Sequence, residues 1–528
     1  MTTHMESSAL DRSRYLSIGE ILARVSRQFP DKVALVFEGH TLTYGELNDR
    51  VNRLAGALSR RGVGHGDTVA VLMYNRLEVL ESFFACHKLG ACPVPVNFRL
   101  APAEVKYILT NSDAVGVIVD ESLEYLARDA IEARTTFILT LNDQPLPGAD
   151  SYEGALSREL NVEPEIVVTE DDLAFLMYTS GTTGLPKGAM LTHRNLVANT
   201  INWILEIEAR HEDVWLSGLP LFHIGGVNGI LPFIYLGGTS VIVSSTGFDP
   251  STSLALIQRH EVTICYFVPT QWQQICLLPE VATIDTSKLR KALWGASQAP
   301  VSTLELLTST FPSVGIVNAF GQTEMSSNTC FLKADDAVRK MGSVGKPAVN
   351  VEVRVVDDSM NDVPIGEIGE IIYRGPTVMK GYYHNEPATK EAFEGGWFHS
   401  GDLVKVDNEG FITVVDRKKD MIISGGENIY PAEIEMVLAK HPSVAEVTVV
   451  GIAHPKWVAT PIAVVVPAGE PPSQAELIDY TKERIASYKK PSAIVFVDAL
   501  PRNAAGKVLR RELRERFGNL FTEEATSS

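Results

Sequence analysis

Positive charge is in short supply in this sequence: 47 lysines and arginines face 65 aspartates and glutamates, a formal balance of −18 over 528 residues. Such a chain lacks the cationic field that non-specific nucleic-acid binding or docking on an anionic membrane requires. A polyanionic ligand would have to be met by cations gathered locally, so each Lys or Arg inside a motif matters. Cysteine is scarce as well. Cys86, Cys92, Cys265, Cys276 and Cys330 include no C-x-x-C pair, which argues against a disulfide framework or a thiolate zinc site and for reduced, buried thiols in a cytoplasmic enzyme. Long hydrophobic runs are missing too. The most apolar window, Gly225 to Val243, is broken by Asn228, Pro232 and several glycines, and Met1 to Arg14 has no apolar stretch. Neither a lipid-spanning helix nor a secretory signal is expected.

What is present is an ordinary globular composition, 45% hydrophobic and 21% charged, in a chain long enough for several domains. Helical periods alternate with short apolar runs: helix over Tyr44 to Arg61, strand over Asp67 to Met73, helix over Glu78 to Leu89, strand over Ala114 to Val119. The alternation returns with strands at 172–177, 239–243 and 263–268 and helices at 194–206 and 251–259. It predicts α/β layers around a largely parallel sheet. Between 342 and 415 short alternating runs with Gly and Pro punctuation predict a β-rich subdomain. After the charged turn Asp416–Asp420 comes a compact α+β unit, with helices at 431–440 and 473–484 and strands at 445–450 and 462–466. The expected architecture is a large N-terminal domain over 15–418 and a small C-terminal domain over 419–517.

The most telling stretch is Tyr178-Thr-Ser-Gly-Thr-Thr-Gly-Leu-Pro-Lys-Gly-Ala189, placed between a strand and a helix starting near His193. Small residues let backbone N–H groups approach an anion, hydroxyls add donors, and Lys187 adds charge. It is not a Walker A loop, because Pro186 stands where that motif needs Gly. His223 lies in the apolar Pro220-Leu-Phe-His-Ile-Gly-Gly226 segment. Asn318-Ala-Phe-Gly-Gln-Thr-Glu324 gathers an aromatic ring, a hydroxyl and a carboxylate at a strand's C-terminal end, where open α/β sheets bind ligands. Phe320 can stack on a base and Glu324 can hold Mg²⁺. Asp402 can take ribose hydroxyls, and Lys507 sits on a small-residue loop near the C-terminus. Each feature alone is as well explained by a surface loop, a core histidine or a solvated lysine.

Taken in order, these segments, together with Asp416-Arg-Lys-Lys-Asp-Met-Ile-Ile-Ser-Gly-Gly-Glu-Asn-Ile-Tyr-Pro431, resemble the adenylate-forming superfamily, and within it the acyl-CoA synthetases. The resemblance runs from about Ile18 to Leu513. It implies that a carboxylate attacks the α-phosphorus of ATP to give acyl-AMP, and that the thiol of coenzyme A then displaces AMP. Thr179, Ser180, Gly181, Thr182, Thr183, Gly184 and Lys187 would hold the phosphates, with Glu324 and Thr179 at Mg²⁺. Ala296, Ser297, Asn318, Ala319, Phe320, Gly321, Gln322 and Thr323 would line the nucleotide, with Asp402 and Arg417 on the ribose. Lys507 would bridge carboxylate and α-phosphate, then leave as a mobile C-terminal domain swings about Lys419. Gly425 and Gly426 would line the thiol tunnel, gated by His223. Gly226, Asn228, Gly295, Gly321 and Met325, with His223, would border a pocket for a hydrophobic carboxylic acid.

Two segments depart from the family pattern: Trp457-Val458-Ala459, where many relatives have Trp-Gly-Glu, and Gly295-Ala-Ser-Gln298. They leave open a member that performs mainly the thioester half-reaction. A stand-alone ligase loading a carrier protein is a further alternative, and a homodimer is compatible with the sequence. From another class, Gly295-Ala-Ser297-Gln-Ala299 nearly matches the Gly-x-Ser-x-Gly elbow of serine hydrolases, a reading that leaves the cradle, Asp402 and Lys507 without a purpose.

Overall fold

Runs of Val, Ile, Leu and Ala with no polar alternation form strands buried on both faces, as parallel sheets require. Thr68–Leu72, Gly116–Val119 and Phe137–Thr140 are such strands, and they lie in a parallel five-stranded sheet whose outer members are Cys92–Pro95 and Asp150–Ser151. A computed structural model describes residues 10–130, 135–145, 147–179, 185–297, 299–424, 427–454, 457–502 and 507–521. They fall into two units, Met1–Val353 with Tyr373–Phe398, and Arg354–Ile372 with His399–Ser528.

The first unit also holds a nine-stranded sheet. Its order runs Lys346–Pro347, Ser327–Leu332, Gly315–Gln322, Lys291–Gly295, Ile264–Tyr266, Val214–Ser217, Thr239–Ile242, Val33–Phe37, His40–Thr43. The interior strands are parallel and both ends antiparallel. Its core packs Leu216, Cys265, Phe267, Trp272, Ala292 and Trp294 against helices Pro250–Arg259 and Val301–Thr310. A third, antiparallel sheet has the order Gly381–Tyr382, Lys187–Thr192, Leu173–Thr179. Leu176 and Phe222 join the core of the five-stranded sheet, so the stems around the Ser/Thr/Gly loop and the His223 segment rest on one apolar bed.

The helix and strand positions read from sequence are all present, with ends shifted by a few residues. One element differs. A strand, Lys187–Thr192, precedes the helix His193–Ile207, so Lys187 stands on a β-hairpin stem. The expected interruption of the apolar window also holds: it divides into helix Ile224–Leu236 and strand Thr239–Ile242, and no described helix is long and apolar enough to cross a membrane. All five cysteines are buried and free.

The second unit contains a four-stranded sheet of Glu352–Val356, Gly369–Arg374, Phe398–Val406 and Ile412–Arg417, and a five-stranded one built on the hairpin Val444–His454/Val458–Pro467. That hairpin is apolar on both faces. Val449, Ala463 and Val465 pack with Leu438 and Leu477 on one side, and Val450, Ile462 and Val464 with Leu513 on the other. The charged turn 416–420 lies inside this unit. Asp416 accepts from Ala432 N–H at 2.9 Å, capping helix Pro431–Leu438 from a distance, and Asp420 takes Arg510 at 3.0 Å and Arg514 at 2.6 Å.

Candidate active site

The loop 180–184, Gln298, Gly425 and Gly426 lie outside the described residues, and the phosphate and thiol-tunnel expectations that fall on them stay with the sequence. What the first unit describes is the frame of the loop. Thr179 and Lys187 are cross-strand partners at the hairpin's open end, with Thr179 Oγ1 donating to Lys187 O at 3.4 Å. Both stems are tied to helix Pro102–Asn111: Tyr178 OH donates to Asn111 Oδ1 at 2.7 Å, and Tyr107 OH to Pro186 O at 3.2 Å.

Lys187 and Glu324, 137 positions apart in sequence by their numbers (324 − 187), are joined through one residue the sequence did not single out. Tyr382 OH donates to Glu324 Oε1 at 2.9 Å, and Lys187 Nζ lies 5.1 Å from the centroid of the same ring. The short strand Gly381–Tyr382 pairs with Ala189 and Met190, Tyr383 N–H donates to Gly188 O, and Met379 N–H donates to Glu324 O at 2.8 Å. Lys187 and Glu324 are thus stitched to one strand. The only hint in the sequence was the Gly-Tyr-Tyr at 381–383.

Glu324 sits in a single turn, Thr323–Met325, and two residues with positive φ follow, Ser326 at 58° and Ser327 at 103°. Strain of this kind on non-glycine residues persists only where surroundings enforce it. Gly321 is obligatory for the fold of this turn: a Cβ there would stand 1.9 Å from Ser327 O. On the strand before it, Asn318 and Ala319 are buried, Phe320 is half-buried, and Gln322 Nε2 and Asn318 Oδ1 are buried without a partner among the described residues. Gly295 pairs with Ala319, and a Cβ at 295 would meet Ala319 O at 2.2 Å and the Tyr266 hydroxyl at 2.3 Å. Ala296 and Ser297 are exposed just beyond. The left-handed residue of this strand-to-helix turn is Ala296, φ 64°, and its helix starts only at Val301. Ser297 therefore lacks the strained apex position of a nucleophile elbow.

His223 is exposed at the N-cap of helix Ile224–Leu236, its ring centroid 4.4 Å from that of Phe222 and tilted by 52°. The turn before it is pinned by Asn75, whose amide donates to Leu219 O at 3.0 Å and accepts from Leu221 N at 2.8 Å. Among the expected acyl-pocket residues, Gly226 has its missing side chain's place filled by Pro220 O, 2.3 Å from where a Cβ would be. Asn228 and Met325 are fully buried, and the Asn228 amide donates to Asn199 Oδ1 and Ser326 O. One turn on, a Cβ at Gly229 would come within 2.7 Å of the Trp215 ring, which stacks on Phe233 at 5.0 Å.

In the second unit, Asp402 and Arg417 are cross-strand partners joined at 2.7 Å, and Asp402 is 5% exposed. Arg417 also donates to Ser400 O at 3.0 Å. Lys507 is exposed. Lys419 is exposed too, yet desolvation of its amine, with the charges of Arg417, Lys507 and Arg514 adding to it and Asp420 opposing, pushes it down to about 8.

These positions fall within a known pattern. Residues 22–383 match the AMP-binding enzyme family, and 433–507 its C-terminal domain. The chain belongs to the AMP-binding enzyme family. A feruloyl-CoA synthase from Amycolatopsis sp is 40% identical, over 96% of this chain and all of that protein. The structure is similar to that of o-succinylbenzoate CoA synthetase from Bacillus subtilis with its acyl-adenylate intermediate, at TM-score 0.84 and 35% identity over 94% of this chain and 97% of that one. The same synthetase is also known with ATP and a magnesium ion. An anthranilate CoA ligase bound to anthranoyl-AMP is similar at TM-score 0.86 and 29% identity, over 95% of this chain and 97% of that one. In this AMP-binding enzyme, Lys187 and Glu324 lie in the matched region 22–383 and Lys507 in 433–507, while Asp402 lies between the two matches.

Proposed function

We propose that this AMP-binding enzyme is an ATP-dependent acid–thiol ligase that activates an aromatic carboxylic acid as acyl-AMP and passes the acyl group to coenzyme A. The observation that carries the reading is the Lys187–Tyr382–Glu324 array at the stem of the Ser/Thr/Gly loop. A carboxylate attacking a polyphosphate meets like charge, so the protein's work in the first half-reaction is to hold cations and the phosphates in place. Lys187 meets the phosphates at the hairpin stem, with its position fixed by the Tyr382 ring. Glu324 fits magnesium. Among the described residues no group of three or more His, Cys, Asp or Glu makes a metal cage, and this ion takes one or two carboxylates and completes its shell with water and substrate phosphates. Bound there, it would neutralise charge on the phosphate oxygens.

The acid is proposed to be aromatic by likeness to relatives whose names give aromatic acyl groups. The named relatives act on feruloyl, o-succinylbenzoyl and anthranoyl groups. Five buried thiols suit the reducing cytoplasm, where the reaction is placed. The test is mass-spectrometric detection of thioester from ATP, magnesium and a panel of cinnamic, benzoic, arylacetic and fatty acids, with free CoA or a pantetheinylated carrier protein as acceptor. Aryl thioesters with free CoA are expected. Turnover of fatty acids alone overturns the aromatic assignment, and turnover only with the carrier overturns the acceptor. Lys507→Ala separates the half-reactions: adenylate formation is expected to fall by about a hundredfold or more while supplied acyl-AMP is still converted. Equal loss of both contradicts the role given to Lys507.

A further inference from the structure

One face of helix His193–Ile207 carries Asn195, Asn199 and Asn202, at helical spacing and buried. Buried amides cost free energy unless they are bonded; Asn195 and Asn199 donate theirs to backbone carbonyls, whereas Asn202 Nδ2 is buried without a partner among the described residues. Asn195 completes a capping box with Thr192 and donates to Pro376 O at 2.7 Å and Val378 O at 2.8 Å, on the chain leading into Tyr382. Asn199 donates to Asn328 O at 2.7 Å and Met325 O at 3.4 Å. Its Oδ1 accepts from Asn228 at 3.1 Å, and Asn228 also donates to Ser326 O. Because a carbonyl can only accept, these contacts fix which way both amides face. The three carbonyls belong to the residues that follow Glu324 through the left-handed pair Ser326–Ser327. Asn202 differs: it accepts from Asn350 N at 3.1 Å, away from that turn.

We infer that Asn199 and Asn228 are positioning residues for the Glu324 carboxylate. Ser326 and Ser327 hold an unfavourable backbone conformation because their surroundings enforce it: the two amides meet the carbonyls of Met325, Ser326 and Asn328, and Ser326 Oγ donates to Thr377 O at 2.9 Å. Relaxing that pair rotates the single turn on which Glu324 stands. Tyr382 fixes the carboxylate from its tip and the two amides fix it from its backbone, Asn199 from the helix that begins at the end of the Lys187 strand and Asn228 from helix Ile224–Leu236. Helix His193–Ile207 therefore links the Lys187 strand to the turn that carries Glu324, and Asn228 braces that turn from a second helix. The inference rests on Glu324 as the magnesium holder, and the experiment keeps the two apart.

The experiment is calorimetric titration with ATP, with and without magnesium, on wild type and on Asn199→Ala, Asn228→Ala, Asn202→Ala and Glu324→Gln, with a melting temperature for each. Residues that orient a metal ligand typically change metal affinity by about 10–100-fold, so the magnesium-dependent gain in ATP affinity is expected to shrink about tenfold in Asn199→Ala and Asn228→Ala. Asn202→Ala loses a buried amide on the same helix face, whose oxygen accepts from Asn350 N, and is expected to melt lower while keeping the full gain. If Asn199→Ala does not fold, Asn228→Ala still reads the Ser326 contact with the Asn199 donors in place. Equal effects of Asn199, Asn228 and Asn202 on the magnesium gain overturn the inference, and so does no effect from any of them. If Glu324→Gln itself keeps the gain, the magnesium assignment falls, and the inference falls with it.

Discussion

Tyr382 does two things with one ring, and they can be separated. Its hydroxyl holds Glu324 and its face holds Lys187. Tyr382→Phe removes the first and keeps the second. A hydrogen bond to a charged group contributes about 1.5–3 kcal/mol, so Tyr382→Phe is expected to lower kcat/KM for pyrophosphate release by roughly tenfold or more. Tyr382→Ala is expected to lose more, in steady-state assays at fixed magnesium. A Phe variant as impaired as the Ala variant would assign the whole effect to the hydroxyl and leave the ring contact without a role. Tyr382 escaped the sequence for a physical reason: nothing local marks an aromatic residue whose partners lie 58 and 195 positions away by number (382 − 324 and 382 − 187). Glu324 and Lys187 were legible because they sit in short, compositionally unusual segments. The asparagines were not, because buried amides look like solvated ones until their carbonyl partners are known.

At the level of elements, the Ser/Thr/Gly loop is the tip of an antiparallel hairpin clamped on both stems by helix Pro102–Asn111. Sequence periodicity found the strand before the loop and the helix after it. It missed Lys187–Thr192, whose six residues alternate too weakly to separate from a loop. The stems that frame the loop are therefore strands held by side-chain hydrogen bonds. Tyr107→Phe breaks one clamp, the bond to Pro186 O next to Lys187. A neutral hydrogen bond contributes about 1 kcal/mol, so KM for ATP is expected to rise about fivefold, with KM for the acid unchanged. A matching rise in both constants would show that the clamp does not act through the phosphate loop. The β-rich run and the two-faced hairpin of the second unit were legible because continuous Val/Ile/Ala strands need apolar cover on both sides.

Across the whole molecule, stability carries a pH signature that has nothing to do with the reaction. His87 and His193 are buried with ring centroids 5.2 Å apart. Desolvation holds His87 down to about 4 from the ordinary 6.5, against the hydrogen bond to Ala174 O, and holds His193 well below 6.5, with the charge of His87 adding to it. Between those values the unfolded chain binds protons that the folded chain does not, so stability is complete above about pH 6.5 and falls as the pH drops toward 4. For His87 the loss approaches about 3 kcal/mol. Urea unfolding at pH 7.5, 6 and 5 is expected to show this fall, and His87→Gln, though less stable at pH 7.5, is expected to show a shallower one. An unchanged slope in the variant would place the acid sensitivity elsewhere.

The measurement that bears most directly on the first half-reaction is isotope exchange between pyrophosphate and ATP without CoA. Exchange that requires both magnesium and an aromatic acid, and that Lys187→Ala abolishes, is the expected result. No exchange with any acid, or exchange indifferent to Lys187, would contradict it.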